Sequence, residues 1–275
     1  MTDAETWERL RAFIEQRLSG SGAVDDFGFD PEFTDTVVLP LLRPFFRSWF
    51  KVKVTGLANV PATGGALIVA NHAGVLPWDA LMTQVALADE HPAQRRLRML
   101  AGDLVFTLPF IGEIARRAGH TVACQPDAER LLGTGEVVGV WPEGYKGIGK
   151  PFDQRYRLQR FGRGGFVSAA VRARAPIIPT AIVGAEEASP MLADIRPLAR
   201  MLGLPYFPVT PTFPWLGPAG LIPLPSRWYI HFGEPISTDG LDEDPMLVFE
   251  LTDRVRDDIQ RSLYRLLTIR GPAFD

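Results

Sequence analysis

At 275 residues and 30.4 kDa the chain is long enough for one large α/β domain with a substantial core. Hydrophobic residues make up 46% and charged residues 22%, with a formal net charge of −3, so the composition implies neither a disordered chain nor a polytopic membrane protein. The single cysteine, Cys124, excludes an internal disulfide and a cysteine-based zinc site, and it reads as a structural thiol in a reducing compartment.

Residues 1–18 are charged throughout and lack the apolar core of a secretory leader. Thr2 and Glu5 have capping-box spacing, and Trp7, Leu10, Ile14 and Leu18 recur at helical intervals, which predicts an opening amphipathic helix. Residues 31–50 are unusually apolar and aromatic, with Leu39, Leu41, Leu42, Phe45, Phe46, Trp49 and Phe50 interleaved with Pro40, Pro44, Arg43 and Arg47. A kinked helix fits, serving either core packing or a membrane interface, where Trp and Arg are favoured anchors. No uninterrupted apolar run reaches about 18 residues, so no spanning helix is expected.

Residues 51–55 alternate like a half-buried strand, and the continuous apolar run 66–70 reads as a central one. Helical patterns at 78–88, 106–118, 127–132 and 165–174 then alternate with apolar runs at 97–101, 137–141 and 177–183. This predicts an α/β fold with a mainly parallel central sheet flanked by helices, preceded by N-terminal amphipathic or interfacial helices. Between 201 and 225 seven prolines divide an almost uncharged segment where neither helix nor strand can persist, folded over the core or exposed to lipid. A last strand is expected at 228–232 and a last helix at 245–268. The chain thus divides into an N-terminal helical, membrane-facing segment, 1–50, and an α/β domain, 51–275.

Two strand ends carry polar clusters. Asn71 and His72 follow the apolar run 66–70, with Asp79 seven positions beyond the histidine, and α/β sheets bind ligands outside the carboxyl ends of their strands. Asp79, in the first turn of the next helix, could reach back to orient the imidazole; by spacing alone a structural pair fits as well. After the run 137–140 come Trp141, Pro142, Glu143, Gly144, Tyr145, Lys146 and Gly147, a loop that could bind polar parts of a substrate or simply be a capped turn. Charge is uneven: residues 143–174 hold eight Lys and Arg against two acids, suited to phosphates or to a solvated face.

Two look-alikes fail. Gly144, Gly149 and Lys150 have the spacing of a phosphate-binding loop, but Pro151 stands where Ser or Thr is required. Gly133, Gly135 and Gly139 precede a strand, whereas a dinucleotide fingerprint must follow one. Neither a GxSxG elbow nor an HExxH zinc motif occurs.

Taken in order, these segments resemble the glycerolipid acyltransferase superfamily that includes the lysophosphatidic acid acyltransferases, over roughly 50–236. NHAGVLPWDA (71–80), WPEGYKG (141–147) and APIIPTAIVGAEE (175–187) resemble its first, third and fourth blocks. The stretch 162–187 is also similar to the diacylglycerol acyltransferase type. The resemblance implies His72 as general base with Asp79 orienting it, and places Glu143 and Gly144 in an acceptor loop with Tyr145 and Lys146. Arg155, Arg157, Arg160 and Arg163 are candidates for the phosphates of the donor or of lipid headgroups. It further implies no permanently bound cofactor, acyl-CoA or acyl carrier protein as donor, a lipid acceptor, and peripheral attachment to the cytoplasmic face of a membrane, with no nucleic acid partner. Six residues separate His72 from Asp79 where the family usually has four, so the loop must bulge; Lys146 stands where the family has Arg, keeping the charge but not the bidentate fork.

Overall fold

The computed structural model describes residues 24–162 and 164–274. The expected opening helix and Arg163 lie outside them. From residue 31 to 49 the chain forms one helical run that alternates α with wider π geometry, the latter at Thr34–Val38 and Phe45–Trp49. Pro40 and Pro44 offer the run no N–H donors, and a helix that loses donors commonly widens or kinks. Leu39, Phe46 and the following Phe50 are buried, while Leu41 and Trp49 stay exposed. The run therefore packs on the domain along one side and meets solvent along the other.

The centre is a seven-stranded sheet built from β1 (Lys53–Thr55), β2 (Ala66–Ala70), β3 (Leu97–Ala101), β4 (His120–Val122), β5 (Val137–Val140), β6 (Ile177–Val183) and β9 (Tyr229–Phe232), in the spatial order β1-β9-β6-β2-β5-β3-β4. A separate pair joins β7 (Ala193–Asp194) to β8 (Pro208–Val209). The block from β6 to β4 is parallel throughout; β9 runs antiparallel to β6 and carries β1 parallel to itself at the edge. Strand β2 is buried at every position. Its side chains divide by the two-residue period of a strand. Ala66, Ile68 and Ala70 join a core with Phe50, Met82, Val85 and Trp228, whereas Leu67 and Val69 join another with Val167, Val171, Val255 and Ile259. On the second face lie the helices Gln125–Gly133, Gly165–Ala173 and Pro245–Arg270; Trp78–Asp89 covers the first.

The strands at 66–70, 97–101 and 177–183 fall where the apolar runs predicted them. The helix expected over 106–118 is instead two, Asp103–Thr107 and Ile111–Arg117, because Pro109 cannot donate within a helix and Phe110 adopts a left-handed φ of 63°. In the proline-rich segment no long element forms; Met201, Leu202, Trp215, Leu216 and Ile222 are exposed there.

One feature of the topology creates the cleft. From β2 the chain passes over β5 to reach β3, and from β5 it passes over β2 to reach β6, so the two connections leave neighbouring parallel strands in opposite directions. Such a divergence opens a crevice at the carboxyl ends. Asn71 closes its floor: the side chain donates to the carbonyl of Ile182 (2.9 Å) and accepts from its N–H (2.7 Å), extending the pairing of β2 with β6 by one side-chain rung.

Candidate active site

His72 leaves the end of β2 and Asp79 lies in the first turn of the helix Trp78–Asp89. The lengthened loop brings them together: His72 Nδ1 is 2.7 Å from Asp79 Oδ2, which also accepts the N–H of Ala73 at 2.9 Å, while Oδ1 accepts that of Ala80 at 2.8 Å. Gly74 makes the bulge possible. It has φ of 79°, and a Cβ there would lie 2.8 Å from the carbonyl oxygen of Ala185. Tyr206 pins the same loop by donating its hydroxyl to the carbonyl of Val75 at 2.7 Å.

A carboxylate can only accept, so the proton of the imidazole sits on Nδ1 and the lone pair on Nε2. Asp79 has no accessible side-chain surface, whereas His72 keeps 14%. Trp141, at the end of β5, places its ring centroid 6.1 Å from that of His72. The arrangement is an oriented base at a strand end, able to take a proton from a group arriving in the cleft.

The second cluster is layered. Glu143 is buried and its carboxylate is occupied from within: Oε1 accepts the backbone N–H of His72 at 2.9 Å, and Oε2 accepts that of Gln159 at 2.6 Å. Gly144, Tyr145 and Lys146, next along the loop, are exposed. Gly147 is where the two clusters touch, because a Cβ on it would lie 2.6 Å from Glu143 Cβ and 2.9 Å from the carbonyl oxygen of His72. Arg155, Arg157 and Arg160 are exposed on the neighbouring segment, which is held to the loop through Gln159 and a bond from the N–H of Gly162 to the carbonyl of Pro142 (3.4 Å). The structure thus gathers His72, Asp79 and Glu143 into one hydrogen-bonded unit, with both carboxylates buried, and leaves Tyr145, Lys146 and the three arginines on its rim.

Apolar residues flank that rim. Gly102, just before the helix Asp103–Thr107, abuts the Tyr145 hydroxyl, and the adjoining turn exposes Leu108, Phe110 and Ile111, with Phe110 at 85%. The segment that carries Tyr206 exposes Met201 and Trp215. Among the described residues no helix is long and apolar enough to cross a membrane.

A model of the family described as Acyltransferase matches residues 51–183, which includes both strand ends that build the site. The chain belongs to the acyltransferase family. An uncharacterized protein of Mycobacterium tuberculosis is 62% identical over 271 residues, covering 96% of this acyltransferase and 75% of that protein. A Gallus gallus protein named DGAT1/2-independent enzyme synthesizing storage lipids is 26% identical over 193 residues, 70% of this chain and 54% of its own. Among solved structures, the 1-acyl-sn-glycerophosphate (LPA) acyltransferase PlsC of Thermotoga maritima superposes with a TM-score of 0.56 at 19% identity, over 83% of this chain and 79% of that one. The superposition shows a shared α/β fold.

Two contributors were not foreseen from the sequence. Lys150, set aside with the phosphate-loop look-alike, is buried beneath Glu143, and Tyr206 reaches the loop between His72 and Asp79 from the proline-rich segment. The only spacing around Lys150 is that of the failed phosphate-loop look-alike, which does not point to Glu143, and a tyrosine among prolines carries no spacing signal. Gly147 offers a test of how tightly the two clusters are fitted. Gly147→Ala is expected to lower stability by about 1–3 kcal/mol, the usual cost of forcing a methyl into a filled space, and to cut turnover by displacing the His72 backbone. Urea denaturation and a turnover assay measure both; an alanine variant as stable and active as wild type would contradict the fit.

Proposed function

We propose that this acyltransferase moves a fatty acyl group from an acyl thioester, acyl-CoA or acyl carrier protein, to a hydroxyl of a glycerolipid acceptor. The observation that carries the reading is the His72–Asp79 pair, with Nε2 left free at the divergence of β2 and β5. The acceptor hydroxyl oxygen attacks the thioester carbonyl carbon as its proton passes to His72 Nε2. The tetrahedral intermediate then collapses, the carbon–sulfur bond breaks, and the thiolate takes the proton from the imidazolium. Asp79 holds the ring and stabilises its transient charge. The thioester is already activated, so no covalent enzyme intermediate is needed.

The rim supports an anionic substrate and a lipid surface. Lys146, Arg157 and Arg160 are exposed without an ion-pair partner among the described residues, and Arg155 stacks on Phe152 with its guanidinium 4.5 Å from the ring centroid. They would meet the phosphates of the donor, of the acceptor or of neighbouring lipids. With apolar residues exposed on the segments that carry Phe110 and Trp215, the site would face the cytoplasmic surface of a membrane, to which the protein would bind peripherally. A phosphorylated acceptor of the lysophosphatidic acid kind is favoured by this density of positive charge. A neutral glyceride is the second reading, supported by Lys146 in place of the family's arginine and by the name of the Gallus gallus relative.

Replacing His72 by Ala is expected to lower kcat by about 10²- to 10⁴-fold, the range of general-base assistance, while leaving the fold intact; Asp79→Asn should cost less. Wild-type turnover by purified His72→Ala protein would end the mechanism. For the acceptor, Lys146→Ala and single substitutions of Arg155, Arg157, Arg160 and Arg163 are to be assayed with lysophosphatidic acid and with diacylglycerol at saturating donor. A phosphorylated acceptor predicts that one of them loses the equivalent of about 1.5–3 kcal/mol in kcat/KM. Indifference with lysophosphatidic acid, beside good turnover of diacylglycerol, assigns the neutral acceptor. Membrane contact is checked by sedimentation with anionic phosphatidylglycerol vesicles: wild type co-sediments and Trp215→Ser with Phe110→Ser binds less, whereas a protein that stays in the supernatant contradicts it.

A further inference from the structure

Lys150 shares the spacing of a phosphate-loop lysine, yet its side chain points away from solvent, with 1% of it accessible. Its ammonium lies 3.0 Å from Glu186 Oε1 and 3.8 Å from Glu143 Oε2, and those two carboxylates are themselves 4% and 0% exposed. One cation thus stands between two buried anions. Glu143 is the member that matters for chemistry, because its Oε1 holds the backbone N–H of His72 at 2.9 Å. The N–H of Tyr156 donates to Glu186 Oε1 at 3.1 Å. Farther out, the Tyr156 hydroxyl bonds Glu187, and Arg270, at the end of the last helix, takes both Glu187 oxygens at 2.8 and 3.0 Å. Arg270 is therefore committed to Glu187, and among the described residues Lys150 is the cation in contact with the Glu143–Glu186 pair.

We propose that Lys150 is a positioning residue for the general-base step: its ammonium holds the Glu143 carboxylate against the repulsion of Glu186, and Glu143 in turn fixes His72 through the backbone. The inference rests on the function proposed above, and it extends the base from a pair to a stack of three layers, His72 on Asp79 and Glu143, and Glu143 on Lys150. Two carboxylates in one water-excluded site cannot both stay ionised without a cation. Burial already pushes the Glu186 carboxyl above the ordinary range, and Lys150 is the first cause opposing that rise. With the ammonium removed, either one carboxylate takes up a proton or Glu143 swings away and releases the His72 amide. Raising the pH forces the second outcome.

The test is a pair of variants. Lys150→Met, neutral and of similar length, is expected to lose about ten- to one-hundred-fold in kcat, the equivalent of one charge-assisted hydrogen bond, with the KM of the acceptor little changed. Its pH–rate profile should gain a descending limb on the alkaline side, where the second carboxylate ionises; the other charged or titratable groups around the pair, His72, Tyr156, Glu187 and Arg270, are common to wild type and variant. Lys150→Met combined with Glu186→Gln should recover most of the lost rate and abolish the limb, because Glu143 alone keeps two backbone donors. A merely structural lysine predicts a double variant no better than the single one, and that result, or a wild-type profile for Lys150→Met, overturns the proposal. Should Lys150→Met not fold, a folded double variant supports it and an unfolded one overturns it. Hydrogen exchange at the His72 amide, corrected for its intrinsic pH dependence, reads the same stack without turnover: protection lost in Lys150→Met at alkaline pH and regained in the double variant. If wild type transfers no acyl group to any glycerolipid, the proposed function fails while the exchange measurement still decides the role of Lys150.

Discussion

Asp79 has no solvent-accessible side-chain surface, so its charge has to be met inside the protein, and the way it is met sets the rest of the site. Three N–H donors reach it: the His72 ring, Ala73 and Ala80. Two of them are backbone amides at fixed places in the loop and helix start. The third is thereby fixed as well, because a carboxylate so placed selects the tautomer with the proton on Nδ1. The free lone pair on Nε2 is a consequence of satisfying a buried anion.

The same logic recurs one layer below. Glu143 is a second buried carboxylate, and the donors that meet it are the amides of His72 and Gln159 with Lys150 behind. His72 is thus gripped through its ring by one buried anion, from the first turn of the helix Trp78–Asp89, and through its backbone by another, from the loop after β5. Removing a single partner from such an arrangement leaves an unmatched charge, which costs more than the interaction itself contributes. Gly147 lies between the two residues, and a methyl there would meet Glu143 Cβ at 2.6 Å and the carbonyl oxygen of His72 at 2.9 Å, so one of them would have to move. Outside this buried set, Tyr145, Lys146, Arg155, Arg157 and Arg160 are exposed on the rim.

Much of the scaffold was legible in the sequence because parallel strands covered on both faces read as continuous apolar runs. The strands at 66–70, 97–101 and 177–183 announced themselves in this way. The three-residue strand His120–Val122 did not, since a polar-flanked triplet has no period to detect. Pro109 within the expected helix 106–118 was a visible breaker whose effect the helical spacing of its neighbours masked. At the site, His72 and Asp79 were legible from their position after a buried strand. The inward turn of Glu143 was not, and neither was its support by Lys150, because both depend on which way a loop folds after β5. The outer layer, where Tyr156, Glu187 and Arg270 meet, joins residues 31, 83 and 114 positions apart, beyond the reach of any local pattern.

The proposed function turns on one step, the direct attack of an acceptor hydroxyl on the thioester with His72 as base. It is tested most directly by mixing purified wild-type protein with acyl-CoA and following free thiol from the first turnover, without acceptor and then with lysophosphatidic acid or diacylglycerol. Direct attack predicts thiol released in step with ester formed, and only when an acceptor is present. A burst of thiol without acceptor, or steady release to water that no glycerolipid alters, would contradict it.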